Sequence, residues 1–205
     1  MPLSTHVPRI GAACLDPDMI TAMEPGSFDA APSARGHRTD FVNMDDPDVG
    51  FLRRAIELAT EAAGGVGSGP FGSVVVHDGT VVGEGVNQVV SMSDPTAHAE
   101  VVALRAAARR LGTYLLEGCV VYASCEPCPM CLAAAFWSRV DRIVYAATRH
   151  DAAAAGFDDA ELYAEMVDAA EHHEHERTPP VARLLSDEAG APFEVWATNP
   201  NRVPY

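Results

Sequence analysis

The spacing of apolar residues changes period several times along the chain, and each change marks an element boundary. From Asp46-Pro47 onward, Leu52, Ala55, Ile56 and Ala59 recur at i, i+3, i+4 and i+7, which predicts a helix with one apolar face that stops at Gly64-Gly65. Two Val-rich runs, 71–76 and 81–86, flank His77-Asp78-Gly79-Thr80, and the Asp-Gly pair predicts a tight hairpin between two strands. A second helical repeat covers about residues 96–111, with Val101, Leu104, Ala108 and Leu111 on one stripe and Gly112 as its stop. A strand over 119–123, a helix over 127–138 and a strand over 141–146 come next, followed by helical segments near 158–170 and 181–186. The central strands are apolar on both faces, so helices must cover both sides of one sheet. The expected fold class is α/β, a three-layer α/β/α domain around a mixed sheet of about five strands.

Residues 1–45 show no sustained periodicity and hold five prolines, so they read as a disordered extension in front of a single domain at 46–205. Periodic sequence begins just after Met44, which makes Met44 a candidate start of translation. The longest uninterrupted apolar run, 130–137, is eight residues and too short to span a bilayer. No apolar stretch behind a basic start marks a secretory signal, and the expected location is cytoplasmic.

Charge narrows the choice of partner. The formal net charge is −15, and all 14 basic residues are Arg. Such a surface disfavours a phosphate backbone, because nucleic-acid binding rests on a basic footprint. A small uncharged substrate is expected, with neither nucleic acid nor membrane as partner. Five cysteines are present, and in a cytosolic chain a C-x-x-C pair points to metal or redox chemistry rather than a structural disulfide.

The chemistry concentrates in two short segments. Thr96-Ala97-His98-Ala99-Glu100 places an imidazole and a carboxylate two residues apart, and Pro127-Cys128-Pro129-Met130-Cys131 places two thiols three apart. One His and two Cys are the three-ligand set of a catalytic zinc site, with a fourth position left for water. Both segments fall at predicted helix starts, where the dipole and free N–H groups favour thiolate over thiol. Zinc so held lowers the pKa of its water from 15.7 towards about 7, and Glu100, which is not needed as a ligand, is left to carry protons. The pattern H-x-E…P-C-x-x-C is the signature of zinc nucleobase deaminases. Two duller readings stand beside it: a thioredoxin-like redox pair, which has no need of His98 and Glu100, and a closed zinc site, which lacks a fourth ligand at matching spacing. Cys119 and Cys125 read as small buried hydrophobes, and His172-His173-Glu174-His175 as a solvated polar stretch.

Residues 94–101 and 124–132 together resemble the cytidine deaminase-like superfamily, and more closely the small bacterial guanine deaminases. The similarity covers roughly 46–205 and includes Gly69-Pro70-Phe71-Gly72, Phe136-Trp137-Ser138-Arg139, residues 155–159, Leu162-Tyr163 and Tyr205. It implies one zinc ion per chain on His98, Cys128 and Cys131, with Glu100 as the proton shuttle and Asp159 assisting at the substrate's polar edge. It also implies that Asn87 hydrogen-bonds a purine, that Phe71 and Trp137 form aromatic walls, that Ala99 contributes to substrate binding and that Tyr205 closes the pocket. The resemblance further implies a homodimer in which a C-terminal segment, about 181–205, swaps between chains. The extension and the long His/Glu-rich stretch between Ala169 and Pro180 depart from the family pattern.

Guanine-to-xanthine hydrolysis is therefore the leading expectation. The alternatives are deamination of another small base or nucleoside (cytosine, cytidine or an adenine-type ring), of tRNA adenosine, or a zinc-stabilised scaffold without catalysis. The charge opposes tRNA, and a scaffold has no use for Glu100.

Overall fold

The computed structural model describes residues 46–157, 159–168 and 189–203. The expected disordered extension, the helix near 181–186 and Tyr205 lie outside the described residues. In chain order the elements are α1 (Pro47–Ala63), β1 (Gly69–His77), β2 (Thr80–Asn87), α2 (Val89–Met92), α3 (Ala99–Leu111), β3 (Cys119–Cys125), α4 (Pro129–Ser138), β4 (Arg142–Ala147), α5 (Arg149–Ala154), α6 (Ala160–Asp168) and α7 (Ala191–Thr198).

One sheet organises the domain, with strand order β2-β1-β3-β4. β1 runs antiparallel to both β2 and β3, and β3 runs parallel to β4, so the sheet is mixed as expected. The described residues supply four strands rather than about five. The β1–β2 hairpin turns at Asp78 and Gly79, whose φ values of 49° and 70° are both left-handed, as the Asp-Gly pair predicts. Val74, Val76 and Tyr122 pack with Ala55 and Leu58 of α1 on one face. Val75, Val82 and Val121 pack with Ala103, Leu104, Ala107 and Ala135 of α3 and α4 on the other. Two apolar layers on one sheet make the three-layer α/β/α arrangement.

The helices follow their local signals with two corrections. Asp46 caps α1 by accepting a hydrogen bond from the Asp48 amide at 3.0 Å, with Pro47 at the first helical position. Its buried stripe is Ala55, Leu58 and Ala59, whereas Ile56 is 43% exposed. α3 starts at Ala99, so Thr96-Ala97-His98 is a non-helical entry, and Leu111 is exposed at the last position before the Gly112 cap. The short helices α2, α5 and α7 lack a long repeat and carry no periodic signal. A polar clasp ties α1 to the neighbouring strands β3 and β4: the Asp48 carboxylate accepts from Tyr122 Oη at 2.6 Å and from Arg142 at 2.6 and 3.0 Å. Among the described residues no helix is long and apolar enough to cross a membrane.

What sets the height of α3 above the sheet is Gly85. A Cβ there would sit 2.6 Å from the Ala103 amide nitrogen and closer still to the Ala99 carbonyl oxygen. Only a hydrogen fits, and the first turn of α3 therefore rests directly on β2.

Candidate active site

Two helix starts converge over one face of the sheet. His98 is the N-cap of α3 and Cys128 the N-cap of α4, both with extended backbone; the His98 side chain makes no capping bond to its own helix, and the Cys128 sulfur meets Cys131 in the first turn of α4. Their side chains turn toward each other instead, and Cys131 joins them from the first turn of α4. Cys128 Sγ lies 3.5 Å from His98 Nδ1, Cys131 Sγ 3.7 Å from the same nitrogen, and the two sulfurs are 3.6 Å apart. A tetrahedral zinc with bonds of about 2.3 Å to sulfur and 2.0–2.1 Å to nitrogen needs edges of about 3.8 and 3.6 Å. The triangle fits that ion without rearrangement. Among the described residues these three form the group able to hold a metal.

Protonation follows the same geometry. The Cys128 thiol is pushed well down, first by its hydrogen bond with Cys131 and then by His98. Cys131 is pushed the opposite way, by its bond to Cys128 and by burial. His98 is raised by its contact with the Cys128 sulfur. The pair thus holds one thiolate ready and keeps one proton for a cation to displace. Glu100 lies in the first turn of α3, with Oε2 3.4 Å from Cys131 Sγ, and burial raises its carboxyl above the usual range. A carboxyl that is buried beside three ligands, and is not one of them, is suited to taking and giving a proton.

A cavity of about 300 Å³ opens in front of this group, lined by Phe71, Asn87, His98, Glu100, Cys128 and Asp159 together with Phe157, Glu126 and Arg149. Of the residues expected at the substrate, Phe71, Asn87 and Asp159 line it. Asn87 stands at the end of β2, where Oδ1 accepts from the Val89 amide at 3.3 Å. Ala99 does not line it: its side chain is buried under α3 against the sheet. Trp137 does not line it either, because it projects from α4 with 62% of its surface exposed. The second aromatic is Phe157, whose ring meets Phe71 edge-to-face at 5.1 Å and 85°. Phe157, Glu126 and Arg149 escaped residue-level reading because loops separated in sequence bring them together.

Residues 46–147 match the family model described as the cytidine and deoxycytidylate deaminase zinc-binding region. A guanine deaminase of Bacillus subtilis is 47% identical over 155 residues, which are 76% of this chain and 97% of that protein. The chain belongs to this deaminase family. The X-ray structure of guanine deaminase from Bacillus subtilis aligns with a TM-score of 0.72 at 45% identity, covering 77% of this chain and 98% of the other. A guanine deaminase structure from Nitrosomonas europaea aligns with a TM-score of 0.50 at 33% identity, over 54% of this chain and 64% of that one. A tRNA-specific adenosine deaminase of Haemophilus influenzae is 40% identical over 121 residues, 56% of this chain and 69% of its own. The chain is thus a zinc-dependent hydrolytic deaminase with the cytidine deaminase-like α/β fold, and His98, Cys128 and Cys131 lie together where the zinc would bind.

Proposed function

We propose that the enzyme hydrolyses guanine to xanthine and ammonia. One observation carries this reading: the 155-residue match to a guanine deaminase cannot be contained within the shared zinc-binding region at 46–147, so it includes sequence outside the part common to the whole family. The cavity supports it, since about 300 Å³ is at the small end for ligand sites and suits a free base. The net charge of −15 supports it against tRNA.

Zinc, when bound, supplies a water acidic enough to attack at neutral pH. Glu100 would take a proton from that water and deliver it to the ring nitrogen as oxygen adds to the carbon bearing the amino group, and would then carry the proton of the added hydroxyl to the amino nitrogen. The carbon–nitrogen bond then breaks, nitrogen leaves as ammonia, and the carbonyl of xanthine remains. Asn87 fixes the ring edge, Phe71 and Phe157, in contact edge to face, form the aromatic part of the wall, and Asp159 faces the ring's far polar edge. The working form we propose is a homodimer in the cytoplasm. Exposed Leu132, Phe136 and Trp137 on α4 support a partner-facing surface, as do Phe193, Val195 and Trp196 on α7, a helix with no buried residue. Trp137 belongs to that surface, and a swapped C-terminal segment would bring Tyr205 to the neighbouring site. Ammonia release from a panel of guanine, adenine, cytosine, cytidine and tRNA tests the substrate: guanine leads, and a preference for cytidine overturns the assignment. Sedimentation that finds only monomer at assay concentration overturns the dimer.

A further inference from the structure

The polar rim of the catalytic cavity is tied together at one residue. Arg149, the first residue of α5, donates its backbone N–H to Glu126 Oε2 at 3.0 Å, and its guanidinium stands 3.8 Å from Glu126 Oε1. The same guanidinium lies over the Tyr163 ring, 4.6 Å from the centroid. Tyr163, on α6, donates its hydroxyl to the Pro127 carbonyl at 3.2 Å, and its amide to the Asp159 carbonyl at 3.2 Å. Pro127 immediately precedes the ligand Cys128. Three segments therefore meet here: the loop after β3 that carries Cys128, the start of α5 after β4, and the start of α6 that carries Asp159. A capping box between Thr148 and Asp151 holds the start of α5 in place. Glu100, Glu126 and Asp159 put three carboxylates on the cavity wall, and Arg149 is the guanidinium among its lining residues.

We propose that Arg149, stacked on Tyr163, is a positioning residue for deamination. It locks Asp159 and the Cys128 loop into one geometry and offsets the Glu126 carboxylate at the cavity wall. This rests on the proposed role of Asp159 at the substrate. A half-exposed ion pair at 3.8 Å adds little to folding stability, so a purely structural role would leave turnover alone. Misplacing a reacting group by about 1 Å can cost about 100-fold in rate, so a positioning role shows in kcat. A planar guanidinium can stack and pair at once, whereas an ammonium cannot reproduce both contacts.

The test uses the zinc-loaded full chain on the substrate that the ammonia panel selects, so failure of the guanine assignment is read first and separately. Arg149→Ala is expected to lower kcat by about 10- to 100-fold, with zinc content and melting temperature near those of the parent. Arg149→Lys recovers only a minor part of the loss, and Tyr163→Phe, which keeps the stacked ring but loses the bond to Pro127, lowers kcat less than Arg149→Ala. Combined with Asp159→Asn, Arg149→Ala adds little further loss, because both act through the same group. The proposal is overturned by a kcat for Arg149→Ala within twofold of the parent, by full rescue with lysine, or by losses that multiply in the double variant.

Discussion

Gly85→Ala tests the link between packing and catalysis most directly. The added methyl would meet the Ala103 nitrogen at 2.6 Å and the Ala99 carbonyl oxygen more closely still, both of them helix backbone that cannot rotate away. Ordinary contact requires more than 3 Å, so α3 must withdraw by roughly 0.5–1 Å at its first turn, a strain typical of overpacked interiors at about 1–3 kcal/mol. His98 and Glu100 sit at that turn, while Cys128 and Cys131 belong to α4 and stay put. The 3.5 and 3.7 Å edges from His98 to the sulfurs therefore lengthen, and Glu100 retreats from the reacting atoms. We expect kcat to fall by about 100-fold, the scale of a 1 Å misplacement, together with weaker zinc retention. Gly83→Ala is the internal control. Its methyl strikes the same helix at Ala103 and at the Ala107 nitrogen, 2.8 Å away, farther from the metal end. It should cost similar stability yet spare more activity. Thermal melts, zinc titration against a chelator and steady-state ammonia release measure all three quantities. Equal kinetic losses in the two variants, or a Gly85→Ala protein with parental activity, would refute the idea that this glycine sets the site.

Glu100→Gln keeps shape and volume but removes the proton carrier, so turnover should drop by about 10²–10⁴-fold while zinc stays bound; loss of zinc instead would make Glu100 a ligand. Asp48→Asn removes the charge that Tyr122 and Arg142 hydrogen-bond, at a cost of about 1–2 kcal/mol near pH 7. The Arg142 contact lowers the Asp48 carboxyl below 3.8, so its contribution is present above that pH and is lost on acidification below it. Denaturant melts should therefore show the penalty shrinking below about pH 4, and a pH-independent penalty would contradict the assignment. Ser73→Ala should be neutral or stabilising by up to about 1 kcal/mol, because Ser73 Oγ is buried with no hydrogen-bond partner among the described residues; a clear loss in chemical denaturation would show that the hydroxyl has one.

Features set by neighbouring residues could be read from the chain. The hairpin at Asp78-Gly79, the helix opening at Asp46-Pro47 and the stop at Gly112 all depend on a few adjacent positions and appear as expected, while the two ligand-bearing helices start two or three residues later than expected, at Ala99 and Pro129. Periodicity was less precise about burial. Ile56 fits a helical stripe as well as Leu58 does, and only the tilt of α1 on the sheet chooses Leu58. Trp137 shows the same limit: an aromatic near the ligand helix is not thereby in the cavity, since a helix turns 100° per residue and carries it outward. Phe157, Glu126 and Arg149 reach the cavity through pairings 23 or more residues apart, from Glu126 to Arg149 and from Phe71 to Phe157, and no local pattern encodes those. The resemblance supplied Asn87, Phe71 and Asp159, which chemistry alone had no reason to choose.

The His98 side chain does not close off the helix it begins, and the Cys128 sulfur is shared between His98 and Cys131 of its own first turn. The two leading turns are therefore held to one another by whatever these three side chains share. Stripping zinc should then loosen amides 99–101 and 130–132 together, as one cooperative unit visible in hydrogen exchange, while the β1–β2 hairpin keeps its protection. In a metal-poor cell such a protein would fray first at the place where it works, and its lifetime would follow the zinc supply.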